Sequence, residues 1–191
     1  MLQILLILPG STELDEQRRI KGTLSIPLSE EGSQQVDRTV GDLAWLNITA
    51  IYSAPATCCE QTAAALASSR GMKYRCLEGF QNLDHGLWHG KLIEEIRQTQ
   101  PRIYRHWQEN PEAVCPPEGE SIVATRRRAQ LALVKLVKKH NDGVIALVVP
   151  EPLASVCRSL VCDRELGDLW QVECDCGRWE VITVELEKLR Q

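Results

Sequence analysis

The chain of 191 residues has no surplus of positive charge, no apolar run long enough to span a bilayer and no internal repeat, low-complexity stretch or long linker. Lys and Arg number 22 against 26 Asp and Glu, for a formal net charge of -4, so no basic field exists to recruit nucleic acid or an anionic membrane. The longest apolar stretch, Leu2 to Leu8 with only Gln3 interrupting it, is too short to cross a membrane and lacks the positive flank of a signal peptide. It reads as a buried strand. A single domain over residues 1–191 in the cytoplasm is the expectation.

Familiar catalytic signatures are missing too. There is no Walker loop, Rossmann glycine fingerprint, H-E-x-x-H or G-x-S-x-G. A cysteine phosphatase needs an Arg six positions after its nucleophile, but the residues at that offset from the eight cysteines are Ala64, Ala65, Asn82, Ser121, Asp163, Asp168, Glu180 and Ile182. Eight cysteines in a chain of this size do not imply a disulfide framework, because the core supports itself. Reduced, mostly buried thiols are expected. Cys157, Cys162, Cys174 and Cys176 are the only plausible zinc set, and it is a poor one. Cys157 and Cys162, on a helix, point about 140° apart, while Cys174 and Cys176 share a face only if they lie on a strand. No metal and no cofactor are expected.

What is present alternates. Short apolar or β-branched runs at Gln3 to Leu8, Ala50 to Ser53, Lys73 to Cys76, Val144 to Val149 and Glu180 to Leu186 are separated by segments of helical period, the pattern of a largely parallel sheet covered by helices. Ser29 is the expected N-cap of a helix to about Trp45, and Thr57 to Ser69 reads as a second helix with Gly71 just past its end. Pro101 divides Leu92 to Asn110 into two short helices. Ser121 to His140 is the longest, and its Arg126-Arg127-Arg128 run cannot form one anion patch, since consecutive helical residues point about 100° apart. A solvated face is expected there. Trp170 and Trp179 flank a stretch that reads as an added strand or interaction surface, with core packing an equal alternative for both rings.

Several segments, taken in order, resemble one family. Leu8-Pro9-Gly10-Ser11-Thr12, followed by Arg19-Ile20-Lys21-Gly22 and running through Pro27-Leu28-Ser29-Glu30-Glu31-Gly32, is similar to the opening of the histidine phosphatase (phosphoglycerate mutase-like) superfamily. Ser53-Ala54-Pro55 before Glu60-Gln61-Thr62-Ala63, then Gly86-Leu87-Trp88-His89-Gly90, Gly119-Glu120-Ser121 and Ala146 to Val149 resemble its later motifs. The resemblance implies a three-layer α/β/α fold with a mostly parallel sheet, phosphoryl transfer through a histidine, and a possible homodimer.

It also implies where the chemistry should sit. The nucleophilic His of the family falls on Pro9, its Arg neighbour on Leu8, the second Arg on Cys58, the proton donor on Asn82 and the second His on Glu151. Proline offers no nucleophile, and Leu8 and Cys58 lack the bidentate donors that hold a phosphate. The expectation is therefore a pseudoenzyme without catalytic residues, kept to bind an unidentified ligand or protein. The alternative is a divergent phosphatase or phosphoglycerate mutase-like enzyme with phosphomonoesterase or other hydrolytic activity. Gly10 and the other retained glycines shape turns, and Ser11, Thr12, Arg19, His85, His89 and Ser121 are the remaining ligand-binding candidates. Arg19 is expected to be exposed and salt-bridged, His85 and His89 to be polar rim residues, and Cys58, near a helix start, to carry a lowered thiol pKa.

Overall fold

The computed structural model describes residues 1–184. A five-stranded sheet in the order β3-β2-β4-β1-β5 forms its centre. Strand β1 (Leu2–Ile7) pairs in parallel with β4 (Gly143–Val148), which pairs in parallel with β2 (Ile48–Ser53), and β2 with β3 (Tyr74–Cys76). Strand β5 (Trp179–Thr183) closes the other edge antiparallel to β1. The central strands are apolar on both faces because helices cover the sheet; Leu5, Ile7, Ile145 and Leu147 are all fully enclosed. The architecture is the three-layer α/β/α arrangement expected. The end of the strand predicted at Glu180 to Leu186 lies outside the described residues.

Local signals set the helices. Ser29 caps α2 (Glu30–Asp42) by accepting the Gly32 N–H, and acidic residues fill the first turn. The helix stops three residues short of Trp45, which is left 74% exposed. Helix α3 (Thr57–Ser68) follows β2, and α4 (Ile93–Thr99) is separated from α5 (Pro101–Glu109) at Gln100, where the proline forbids continuation. Ser121 caps α6 (Ile122–Lys138) through the Ala124 N–H, and the almost wholly buried α7 (Leu153–Cys162) packs against it. The three arginines of α6 diverge as their spacing dictates. Arg126 meets the Ser159 hydroxyl, Arg127 is exposed, and Arg128 pairs with Glu120 at 2.7 Å.

A second, smaller core sits beside the sheet. Trp88, Trp107 and Trp170 meet with ring centroids 5.6 to 5.8 Å apart and Tyr104 stacks on Trp170, enclosed with Ile20, Leu83, Ile96 and Leu169. Trp170 is thus a core residue. The stretch from Trp170 is not an added strand: a short helix, α8 (Leu169–Val172), is followed by a turn, and pairing begins only at Trp179. Cys174 and Cys176 lie in that turn, so the shared strand face on which a zinc site depended does not exist. Among the described residues no three His, Cys, Asp or Glu side chains converge as metal ligands.

The turn after β1 is fixed by a close approach between backbones. A Cβ on Gly10 would stand 2.2 Å from the Gly32 carbonyl oxygen, and one on Gly32 would stand 2.0 Å from that of Ser11. Neither neighbour is a side chain that can swing aside. Gly32→Ala is expected to lower the unfolding free energy by about 1–3 kcal/mol, read from the midpoint shift in urea, whereas Gly41→Ala, with open space around it, should stabilise slightly.

Candidate functional site

The carboxyl ends of β1, β2 and β4 lie side by side in the sheet, the edge at which α/β folds place ligands. Leu8, Pro9 and Gly10 leave β1, Cys58 stands in the first turn of α3, and Glu151 follows β4. Asn82 ties these loops together. Its amide Nδ2 donates to the carbonyl oxygens of Gly22 and Glu151, each at 3.0 Å, and its Oδ1 accepts the Leu153 N–H at 3.3 Å. The loop after α1 and the loop after β4 are thereby held by one neutral side chain that is itself 3% exposed.

A buried ion pair fills the side of the site nearest α1 (Glu13–Glu16). Lys21 Nζ donates to both oxygens of Asp15, at 2.9 and 2.8 Å, and both residues are almost completely enclosed. Burial works against the Lys21 charge, but Asp15, then the Cys58 and Cys176 thiols, outweigh it and raise the pKa. Asp15 also accepts from the backbone and hydroxyl of Thr12, at 2.8 and 2.7 Å, in a capping box. Nothing in sequence periodicity marks Lys21 or Asp15 as buried, and sequence reasoning missed both.

The cysteine expectation splits. The hydrogen bond from Cys59 lowers the Cys58 thiol to about 7 against the opposition of burial, with help from Lys21. Burial pushes Cys59 well up. Cys58 has no exposed surface, however, and neither has Cys59. Cys157 is enclosed as well, but Cys76 and Cys115 are exposed and Cys162, Cys174 and Cys176 are half-buried, so the thiols are less uniformly hidden than expected.

Glu151 is a buried acid that reaches a cavity. A space of about 320 Å³ is lined by Leu8, Glu151, Arg158, Asp175, Arg178 and Glu180 among others. Burial raises the Glu151 pKa to about 7, against the Ser155 N–H, which donates to it at 2.9 Å, and Arg158 at 3.7 Å. Arg158 also pairs with Glu180, and Arg178 with Asp175 at 3.1 Å. With Glu151 protonated, the two arginines balance the two remaining carboxylates. Arg158 and Arg178 belong to no motif of the sequence, so their arrival beside Glu151 is visible only in the fold.

The other candidates lie elsewhere. The Ser11 N–H donates to Gln35 at 2.9 Å and its hydroxyl meets Ser29 at 3.2 Å. Thr12 and Ser121 are helix caps. Among the described residues Arg19 has no salt bridge of the kind expected; it donates to the Gly90 carbonyl at 2.6 Å and to Gln17 at 3.0 Å. His85 is not at a rim. It is fully buried, 3.2 Å from Glu173 and within the tryptophan core. His89 Nε2 accepts the N–H groups of Thr23 and His85, each at 3.2 Å, and partial burial lowers its pKa.

Comparison with known proteins adds the relationships. The family model of the histidine phosphatase superfamily (branch 1) matches residues 4–190. Phosphoserine phosphatase 1 of Hydrogenobacter thermophilus is 29% identical over 187 residues, covering 97% of this chain and 88% of that protein. Among solved structures, Bacillus stearothermophilus YhfR superposes with a TM-score of 0.83 at 25% identity, over 97% of this chain and 92% of its own. A mycobacterial glucosyl-3-phosphoglycerate phosphatase in complex with VO3 gives a TM-score of 0.84 at 20% identity, over 95% and 92%. The expectation of a pseudoenzyme is overturned by these relationships, because the chain aligns almost end to end with a protein named as a phosphatase. Absence of the family's imidazole therefore does not amount to absence of an enzyme.

Burial of Glu151 has a measurable cost. Its folded-state pKa lies above its ordinary value of 4.5, so between about pH 4.5 and 7 the native state keeps a proton that the unfolded chain releases. Stability is full below that window and declines as pH rises through it. Relative to Glu151→Gln, the natural chain is expected to lose about 3 kcal/mol of unfolding free energy between pH 4.5 and 7.5, measured by urea denaturation of both proteins at each pH.

Proposed function

The chain belongs to the histidine phosphatase superfamily, and we propose on that premise that it is a phosphomonoesterase that works without a phosphohistidine, with Glu151 as its general acid. The observation that carries this reading is the Glu151 carboxyl, at the family's second-His position, buried against a cavity and held at a pKa of about 7. A carboxylate about 5 Å from a phosphate dianion is repelled by roughly 6 kcal/mol at an effective dielectric of 20. A protonated acid removes that term and supplies a proton in its place. Asn82 holds a hydrogen bond but no proton, so the acid function attached to position 82 in the family passes to position 151.

The reaction then needs little covalent help. Phosphoryl transfer has a loose transition state, in which charge stabilisation and positioning dominate. Arg158 and Arg178 are the two cations of the cavity, and binding an ester there means exchanging their Glu180 and Asp175 partners for phosphoryl oxygens. Water attacks phosphorus, the bond to the ester oxygen breaks, and that oxygen takes the Glu151 proton. A proton from the attacking water restores the acid. Cys58 is given no part, because a thiol with no exposed surface has no line of attack on phosphorus. Eight free thiols fit a reducing setting such as the cytoplasm.

Phosphoserine, the substrate named for the Hydrogenobacter relative, is an alkyl ester whose leaving oxygen needs a proton; p-nitrophenyl phosphate has a leaving group that does not. Wild-type turnover of phosphoserine should decline as pH rises past about 7. Glu151→Gln should lower kcat/KM for the alkyl ester by about 10²–10⁴, with a much smaller loss for the aryl ester, while Cys58→Ala leaves both unchanged. No hydrolysis of either ester by the natural chain, or equal rates in Glu151→Gln, defeats the reading.

A further inference from the structure

A second concavity lies away from this site and shares no lining residue with it. It has a volume of about 440 Å³, well within the range of small-molecule pockets, and runs between one face of α6 and the segment that leaves β3. From α6 come Arg128, Leu131, Ala132, Lys135, Leu136 and Lys139, the last just past the helix end. Their spacing of three and four residues puts them on one stripe. Tyr52, Leu77 and Gly79 face them. The floor is tight: a Cβ on Gly79 would stand 2.8 Å from that of Ala132.

The chemistry of the lining is two-sided. Leu77, Ala132, Leu136 and the Tyr52 ring make an apolar bed, and Leu131 at its lip is 59% exposed, an unfavourable place for a leucine with nothing over it. Charge is uneven around that bed. Arg128 is spent, since it pairs with Glu120 at 2.7 Å and donates to the Gln81 carbonyl at 2.6 Å. Lys135 has no carboxylate within ion-pair distance among the described residues, and neither has Lys139, whose ammonium lies 6.0 Å from the centre of the Tyr52 ring. Against these two ammonium groups the lining offers a single acid, Glu78.

We propose that this groove binds an amphiphilic monoanion, a free aliphatic carboxylate, with its chain along Leu77, Leu131 and Leu136 and its carboxylate between Lys135 and Lys139. Two cations at one end of an apolar trough select a headgroup of one negative charge. They are too few for a polyanion, and the chain as a whole carries a net charge of -4, which opposes attachment to an anionic surface. Binding here reaches neither Glu151 nor its arginines, so the inference stands or falls independently of the proposed reaction.

The test is calorimetric titration of the full chain with decanoate below its micelle concentration, beside decyltrimethylammonium, which has the same chain and the opposite charge. Saturable binding of decanoate is expected with a Kd of about 100 μM or tighter, with none for the cation. Lys135→Gln combined with Lys139→Gln should weaken decanoate by at least about tenfold, and Leu131→Gln by a smaller factor; both changes are on the surface, and circular dichroism checks that the variants fold. Equal binding of the two headgroups, unchanged affinity in the double variant, or no saturation below about 1 mM overturns the proposal. Retention of the chain on phosphatidylglycerol vesicles without decanoate binding also overturns it, in favour of a membrane surface.

Discussion

One neutral amide holds the site in register. Asn82 spends both donors and its acceptor on Gly22, Glu151 and Leu153, so two loops that meet only in the folded state share a single rigid hub. An acid at this position would bring a charge among carbonyl oxygens, which repel it. The amide brings none, and every polar atom it buries is matched, the condition under which such burial costs little. The hub fixes the backbone of Glu151 while leaving its carboxyl to face the cavity.

Charge in the site has been redistributed rather than lost. Where the family motif puts guanidinium groups beside the phosphate, Leu8 and Cys58 stand, and the local cation is Lys21, fully committed to Asp15. A buried pair of this kind contributes little net stability, because desolvation of two ions offsets most of their attraction. It does fix a conformation: Asp15 simultaneously caps α1 through Thr12, so the loop after β1, the short helix and Lys21 are locked together. The arginines that line the cavity stand farther out, Arg158 on α7 and Arg178 just before β5, each paired with a carboxylate at the surface. The centre of the cleft is accordingly built for shape and its outer wall for charge.

Much of this fold was legible in the sequence. Continuous apolar runs gave the parallel strands, Ser29 and Ser121 marked two helix starts, and Pro101 marked a break, all from local chemistry that tertiary packing did not override. The sequence offered site positions only where the resemblance implied them, at Pro9, Cys58, Asn82 and Glu151 beside glycines and prolines of the motifs. Lys21, Asp15, Arg158 and Arg178 could not be placed in this way, since their roles depend on which segments meet in space. His85 shows the opposite failure. A histidine beside a glycine turn reads as exposed, yet Trp88 and Trp107 pack against its ring, and no local pattern announces that.

Activity itself was the least legible property, and the reason is physical. A missing nucleophile would exclude one pathway, the covalent one, and the resemblance implies that loss at Pro9. It does not show what burial does to a carboxyl. The same Glu151 that reads as a repulsive charge in the sequence is, once enclosed between α7 and the end of β1, pushed by burial to a pKa of about 7. Repulsion and proton donation are two protonation states of one group, separated by the free energy of its surroundings. Residue identity determines the menu of chemistry at a position, and desolvation decides which item is served. Inactivity cannot be inferred from residue identities alone.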